Sequence, residues 1–183
     1  VKIEKFIKTF IDAEGYKTVL EGLQNTLIIA ILGLVIGLII GTVIAIVKVL
    51  PRYKRTVRIF QKICDIYIAF RGTPIVVQLL LGYYVLFPLL QIRISGLWVC
   101  VVIFGMNSAA YVAEIMRGGI LAVDRGQLEA ARALGLNFRV SMTKIVVPQA
   151  LKGILPSLGN EFIALVKDTS VASFVAVADL KYA

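Results

Sequence analysis

From Gly22 to Val47 the chain carries no charge, and the charges that follow at once are six basic residues, Lys48, Arg52, Lys54, Arg55, Arg58 and Lys62, with no acid among them. As a helix this stretch rises roughly 39 Å at about 1.5 Å per residue, longer than a hydrocarbon core of about 30 Å. A basic cluster at one end of an apolar span is held on the cytoplasmic side. The sequence therefore predicts a membrane helix that starts outside and ends at Lys48. Ahead of it, Ile3, Phe6, Ile7, Phe10 and Ile11 recur at helical spacing between lysines. Residues 1–20 are read as an amphipathic N-terminal segment, helical over 2–12 and lying in the interface, and 21–183 as the transmembrane domain.

Composition narrows the function. The chain is 59% hydrophobic and 17% charged, whereas soluble domains carry about a quarter charged residues. The net charge of +9 sits at span ends, where it meets lipid headgroups, so nucleic acid is not an expected partner. Histidine is absent, which removes the commonest general base and metal ligand, and no metal site is expected. Cys64 and Cys100 lie in apolar stretches without CxxC spacing and read as small buried hydrophobes. A cleavable leader does not fit, because the first apolar run is too long and lacks a cleavage pattern.

Further spans follow from parity. Ile94 to Ala113 is uncharged and predicts a crossing at about 94–116. A second basic region, Arg117 to Lys144, is also expected inside. Two cytoplasmic regions are joined by an even number of crossings, so residues 59–90 count as one long crossing. It is expected to break at Arg71-Gly72-Thr73-Pro74, where Pro74 lacks an amide donor and Gly72 is permissive. Ile145 to about Val166 predicts a fourth crossing, outward. Within the first span Gly33, Gly37, Gly41 and Ala45 form one smooth stripe, the pattern that lets another helix approach closely.

The polar stretch between the third and fourth spans reads as helix–glycine–helix, a coupling loop over about 118–147. Asp124 with Gln127 is a cap pair, Gly135 a stop, and Asn137 the cap of a second short helix ending near Val146, before Pro148. The first helix presents Glu129, Ala130 and Ala131, small side chains and one acid able to seat in a partner's groove. A solvated loop joining two spans satisfies the same signals.

The spacing Glu129-Ala130-Ala131, Gly135, Ile145 and Pro148 resembles the signature loop of ABC importer permeases, with Val147 where Leu is commonest. Gly22-Leu-Gln-Asn-Thr26, Arg71-Gly-Thr-Pro74 with Gln78, Ala110-Tyr-Val-Ala-Glu114, and Gly159-Asn-Glu-Phe-Ile163 leading to Lys167-Asp-Thr-Ser170 resemble the branch serving polar amino acids. The resemblance spans roughly residues 20–180 and implies an all-α polytopic transmembrane bundle in the cell membrane. It also implies a coupling loop docked on a cytosolic ABC ATPase dimer, a second permease subunit, identical or not, and an extracytoplasmic amino-acid-binding protein. ATP and Mg would reside on the ATPase, and this chain would bind no cofactor. Similar permeases usually carry one more helix after the segment matching Ala178-Asp-Leu180, so the final family helix is expected to be missing.

Four charges stand in apolar surroundings: Arg71, Glu161, Lys167 and Asp168. Ionisable groups within a membrane normally face a partner or a watery cavity. Glu161 and Asp168 share a helical face, with Lys167 near the face of Asn160. Together with Gln78 they are candidate pathway residues, the acids for an ammonium or cationic side chain and Arg71 or Lys167 for an α-carboxylate. Mutual neutralisation is the other reading. Glu114 and Arg117 are read as a simple i,i+3 pair. The P-loop pattern G-x-x-x-x-G-K-[ST] is absent from the sequence, so the chain is expected not to be an enzyme. An ion-gradient-driven transporter or channel is the alternative function, but it leaves the Glu129 loop without a purpose.

Overall fold

The computed structural model describes residues 15–50 and 55–172, which are helical with short connections and contain no strand. The expected interfacial helix at 2–12, the basic residues Arg52 and Lys54, and the segment Ala178–Leu180 lie outside the described residues. Helix α1 runs Gly15–Val49, α2 Arg55–Phe70, and α3 Ile75–Leu89 with a π-helical turn at Gly82–Leu86. Helix α4 is Gly96–Leu121, α5 is Arg125–Ala133 and α6 is Phe138–Ser141. A π-helical turn, Met142–Val146, leads into α7, Val147–Asp168, and a 3₁₀ turn follows at Thr169–Ala172. Among the described residues two helices are long and apolar enough to cross a membrane, Val19–Val49 and Gly96–Leu121.

The glycine stripe of α1 finds its partner in α4. A Cβ added at Gly37 would lie 2.8 Å from Ser108 Oγ, and one at Gly41 only 2.7 Å from the Ala109 carbonyl oxygen. Helix α4 reciprocates, since a Cβ at Gly105 would meet Ile36 at 2.9 Å. Each helix thus receives the other where it has no side chain, which is how backbones approach when lipid supplies no hydrophobic drive. Phe104, Val99 and Cys100 of α4 pack with Ile29 and Ala30 of α1, Leu79 of α3 and Leu165 of α7 to form the core.

Contacts along α4 give the direction of every long helix. Gly33, Gly37 and Gly41 meet Gly105, Ser108 and Val112 in rising order, so α1 and α4 run parallel. Tyr67 donates to the Met106 carbonyl, and Gly82 packs on Ile103 and Val99, so both α2 and α3 pack along α4. Gly119 packs on Ile154 while Ser108 meets Glu161, making α7 antiparallel to α4. Helix α7 thus runs opposite to both α1 and α4, and the break between α2 and α3 falls at residues 71–74 as expected.

Among the described residues α1 is already helical from Gly15, so residues 15–20 are continuous with the span. Two sequence expectations are corrected. The helix capped by Asn137 does not stop before Pro148 but passes through the π turn into α7. A proline in the first turn of a helix loses only an amide that has little to bond, and the wide turn before it absorbs the change. Gln127 does not close a reciprocal cap: its Oε1 accepts from Gln149 Nε2 at 3.2 Å, and Asp124 alone caps α5. Of the cysteines, Cys100 is fully buried and Cys64 partly so, and both are free thiols.

Candidate functional site

The helix–glycine–helix element is built from its caps. Asp124 Oδ1 accepts from Gly126 N at 2.8 Å, satisfying an orphan amide of α5. At the other end Gly135 has φ +81°, a left-handed conformation that costs glycine least. Gly135 N donates to Arg132 O at 3.0 Å and Leu136 N to Ala131 O at 3.2 Å, the paired bonds of a Schellman stop. Asn137 Oδ1 then accepts from Val140 N at 2.9 Å and starts the next helix. Ala131 and Val146 are buried and Ile145 is partly buried, so α5 is anchored to the base of α7. Glu129, Ala130 and Pro148 remain exposed, and Leu134 is 82% exposed.

Glu114 of α4 centres a charge network that sequence reasoning reduced to one pair. Glu114 Oε2 accepts from Arg117 at 2.7 and 3.0 Å, as its spacing predicted. Its other oxygen meets Lys48 Nζ at 2.7 Å, and Lys48 reaches Asp65 at 3.1 Å. The network joins the ends of α1 and α4 to α2. Buried Gln61 adds to it by donating to the carbonyls of Val47 and Leu50 at 3.1 and 3.0 Å, which satisfies the C-terminus of α1. A lysine at a span end followed by an acid in the next helix was the only available signal.

The pathway candidates separate. Arg71 and Gln78 line one cavity of about 290 Å³ among α2, α3 and α4. Gln78 Nε2 donates to Thr73 O at 3.1 Å and Thr73 Oγ1 at 2.8 Å, bracing the helix break. The Arg71 guanidinium sits 4.5 Å from the centroid of the Tyr111 ring, a cation–π contact. Glu161 is partly buried on α7 and its Oε1 accepts from the fully buried Ser108 at 2.8 Å. Among the described residues neither Arg71 nor Lys167 forms an ion pair with Glu161 or Asp168. Asn160, Lys167 and Asp168 lie on the exposed side of α7. Ser108 was missed, because the α4 face it shares with Gly105 and Ala109 is too mixed to stand out in the sequence.

Apolar helices packed through glycines, two of them among the described residues long and apolar enough to cross a membrane, fit a membrane protein. The chain belongs to the family of binding-protein-dependent transport system inner membrane components, whose profile matches residues 33–180. It is similar to an arginine transport system permease protein, ArtQ, of Bacillus subtilis (strain 168), at 43% identity over 163 residues, covering 88% of this chain and 72% of that one. A putative glutamine transport system permease protein, GlnP, of Rickettsia bellii (strain RML369-C) is 39% identical over 163 residues, with the same coverage of both chains. Among solved structures, an amino acid ABC transporter shares 39% identity at a TM-score of 0.78, covering 93% of this chain and 78% of that one. The chain is thus a permease subunit and a membrane protein.

Proposed function

We propose that this chain is the multi-pass permease subunit of an ATP-driven importer of polar amino acids. In this reading α1, α2 with α3, α4 and α7 make the four crossings. Helix α5 docks on a cytosolic ABC ATPase dimer through Glu129, Ala130 and the exposed Leu134, with Ala131, Gly135, Ile145 and Pro148 fixing its pose. The observation that carries the reading is this element: a helix capped at both ends, exposed at Glu129 and Ala130, buried at Ala131 and tied to Gln149 of α7 through Gln127. Force applied to it is transmitted to the helix that bears Glu161, not lost in a loop. A second permease subunit completes the pathway, and an extracytoplasmic binding protein delivers the substrate. ATP and Mg belong to the ATPase.

Relatives named for arginine and for glutamine support the class of polar amino acids and leave its member open. Arg71 and Gln78 would receive the amino acid in their cavity, the guanidinium meeting its carboxylate. Glu161 would meet a cationic group, and Asn160, Lys167 and Asp168 would line the route on the exposed side of α7.

The test is reconstitution of the permease with its ATPase and binding protein in vesicles. Uptake of labelled arginine or glutamine should require ATP inside or outside according to orientation, and should persist when ion gradients are collapsed. Uptake that follows a proton or sodium gradient without ATP would overturn the reading.

A further inference from the structure

The turn between α3 and α4 carries a solitary charge. From Gly72 to Ala113 the sequence has one charged residue, Arg93. It is exposed, and among the described residues it forms no ion pair. In the four-crossing reading this turn is external, where the positive-inside bias disfavours a basic residue. Arg93 therefore has neither the topological reason for a cation at a span end nor an acid to balance it.

The backbone holds this cation beside an open pocket. Ile92 N donates to Phe87 O and Gln91 N to Pro88 O, both at 3.0 Å, the paired bonds of a Schellman stop. Gln91 takes the left-handed position of that stop at φ 56°, so Arg93 leaves α3 from a fixed point. The pocket measures about 670 Å³, within the usual range for ligands. Its walls include Tyr83, Tyr84, Phe87, Ile94 and Val99, and Arg93 supplies its charge. The two tyrosines meet edge to face, with ring centroids 4.9 Å apart.

Depth and exposure narrow the occupant. Val99 is one turn inside α4, so the pocket sits at the helix ends, the level of lipid headgroups. Trp98 and Tyr84 are about half exposed there, and Leu89 is 76% exposed. Aromatic side chains at span ends mark the membrane–water interface. A phosphate would meet the guanidinium through charge-assisted hydrogen bonds, and an acyl chain would cover apolar side chains that water covers at a cost. A zwitterionic headgroup brings its own cation to that phosphate. An anionic headgroup does not, and so leaves Arg93 as the counter-charge.

We infer that the pocket at the α3–α4 turn binds an anionic phospholipid, its phosphate on Arg93 and an acyl chain along Tyr84 and Phe87. The inference goes beyond the importer reading and needs from it only that this turn lies at a membrane surface.

The test titrates phosphatidylglycerol or phosphatidylcholine onto the delipidated, full-length permease with its partner subunits and counts bound lipid by native mass spectrometry. Wild type should retain one more phosphatidylglycerol per permease chain than Arg93→Gln. The affinity of that binding event should fall at least about fivefold in the variant, the scale of one basic residue at an anionic surface. Arg93→Lys should keep most of it, and phosphatidylcholine should bind all three proteins alike. Glycerol 1-phosphate, which has the phosphate but no chains, should not displace the lipid. Equal phosphatidylglycerol binding by wild type and Arg93→Gln overturns the inference. Displacement by glycerol 1-phosphate overturns it too, since the pocket then serves a soluble phosphate. If Arg93→Gln keeps its lipid but loses capture of the extracytoplasmic binding protein, the surface belongs to a protein partner and the lipid site falls. ATP-driven uptake by the same wild-type preparation reports on the importer reading separately.

Discussion

Ser108 Oγ donates to Glu161 Oε1 at 2.8 Å, and a Cβ on Gly37 would stand 2.8 Å from that same hydroxyl. Three helices, α1, α4 and α7, therefore meet at one buried group. The glycine makes room for the serine, and the serine satisfies a carboxylate that would otherwise be partly desolvated without a donor. The acid thus has a structural partner whether or not it also meets substrate.

Removing that donor should loosen α7. Ser108→Ala is expected to lower the stability of the purified complex by about 1–3 kcal/mol, the range for a partly buried charged acceptor left unpaired. Thermal melting in detergent reads the loss. An unchanged midpoint would mean that water replaces the hydroxyl at no cost.

The α1–α4 seam makes a sharper claim, because its glycines differ. A Cβ at Gly41 would fall 2.7 Å from a backbone oxygen, which cannot rotate away, whereas a Cβ at Gly33 would meet its nearest neighbour at an ordinary 3.6 Å. Gly41→Ala should therefore destabilise the protein by about 1–3 kcal/mol through overpacking. Gly33→Ala should be neutral or better. Equal melting points for the two variants would show that the helices slide apart freely.

The contrast also marks how far the sequence could be read. The stripe from Gly33 to Ala45 announces a close helix contact, but a stripe does not name its partner. The facing surface on α4, Gly105, Ser108 and Ala109, is too mixed to stand out by itself. The capped α5 was legible residue by residue, because Asp124, Gly135 and Asn137 act on neighbours in sequence. The bond between Lys48 and Glu114 joins residues 66 apart, and no local pattern encodes that. Pro148 misled for a physical reason: proline breaks helix interiors, yet it is tolerated in a first turn, and the π turn before it let the helix continue.

Gly135 tests the coupling element. Its φ of +81° is inaccessible to proline, whose ring holds φ near −65°, and its amide bonds Arg132 O at 3.0 Å. Gly135→Pro should leave membrane insertion intact while ATP-driven uptake falls by at least about tenfold, a barrier change of roughly 1.4 kcal/mol. Gly135→Asn, which tolerates the left-handed region, should retain most uptake. Normal transport by the proline variant would remove α5 from the coupling path.

The direction of each helix along α4 predicts which loops share a side. Single cysteines at Arg58, Ser95 and Arg139, in a background lacking Cys64 and Cys100, should react with an impermeant thiol reagent as two classes. Position 95 labels from outside, whereas 58 and 139 label only after permeabilisation. Labelling of position 139 in intact cells would mean that α2 and α3 cross the membrane separately.

Glu161→Gln separates the two duties of the carboxylate. Glutamine keeps the size of the side chain and an oxygen that can accept from Ser108 Oγ, so the contact between α4 and α7 survives while the charge does not. If the charge meets a cationic side chain, arginine uptake should fall at least about tenfold relative to glutamine uptake, because a charge-assisted hydrogen bond is roughly twice as strong as a neutral one. If Glu161 serves only as the partner of Ser108, the variant should transport both amino acids at wild-type rates. Equal loss of both, in protein whose melting point is unchanged, would assign the charge to movement of α7 and remove it from substrate selection. The ratio of the two uptake rates, measured in the same vesicles, distinguishes these cases without knowledge of the natural substrate.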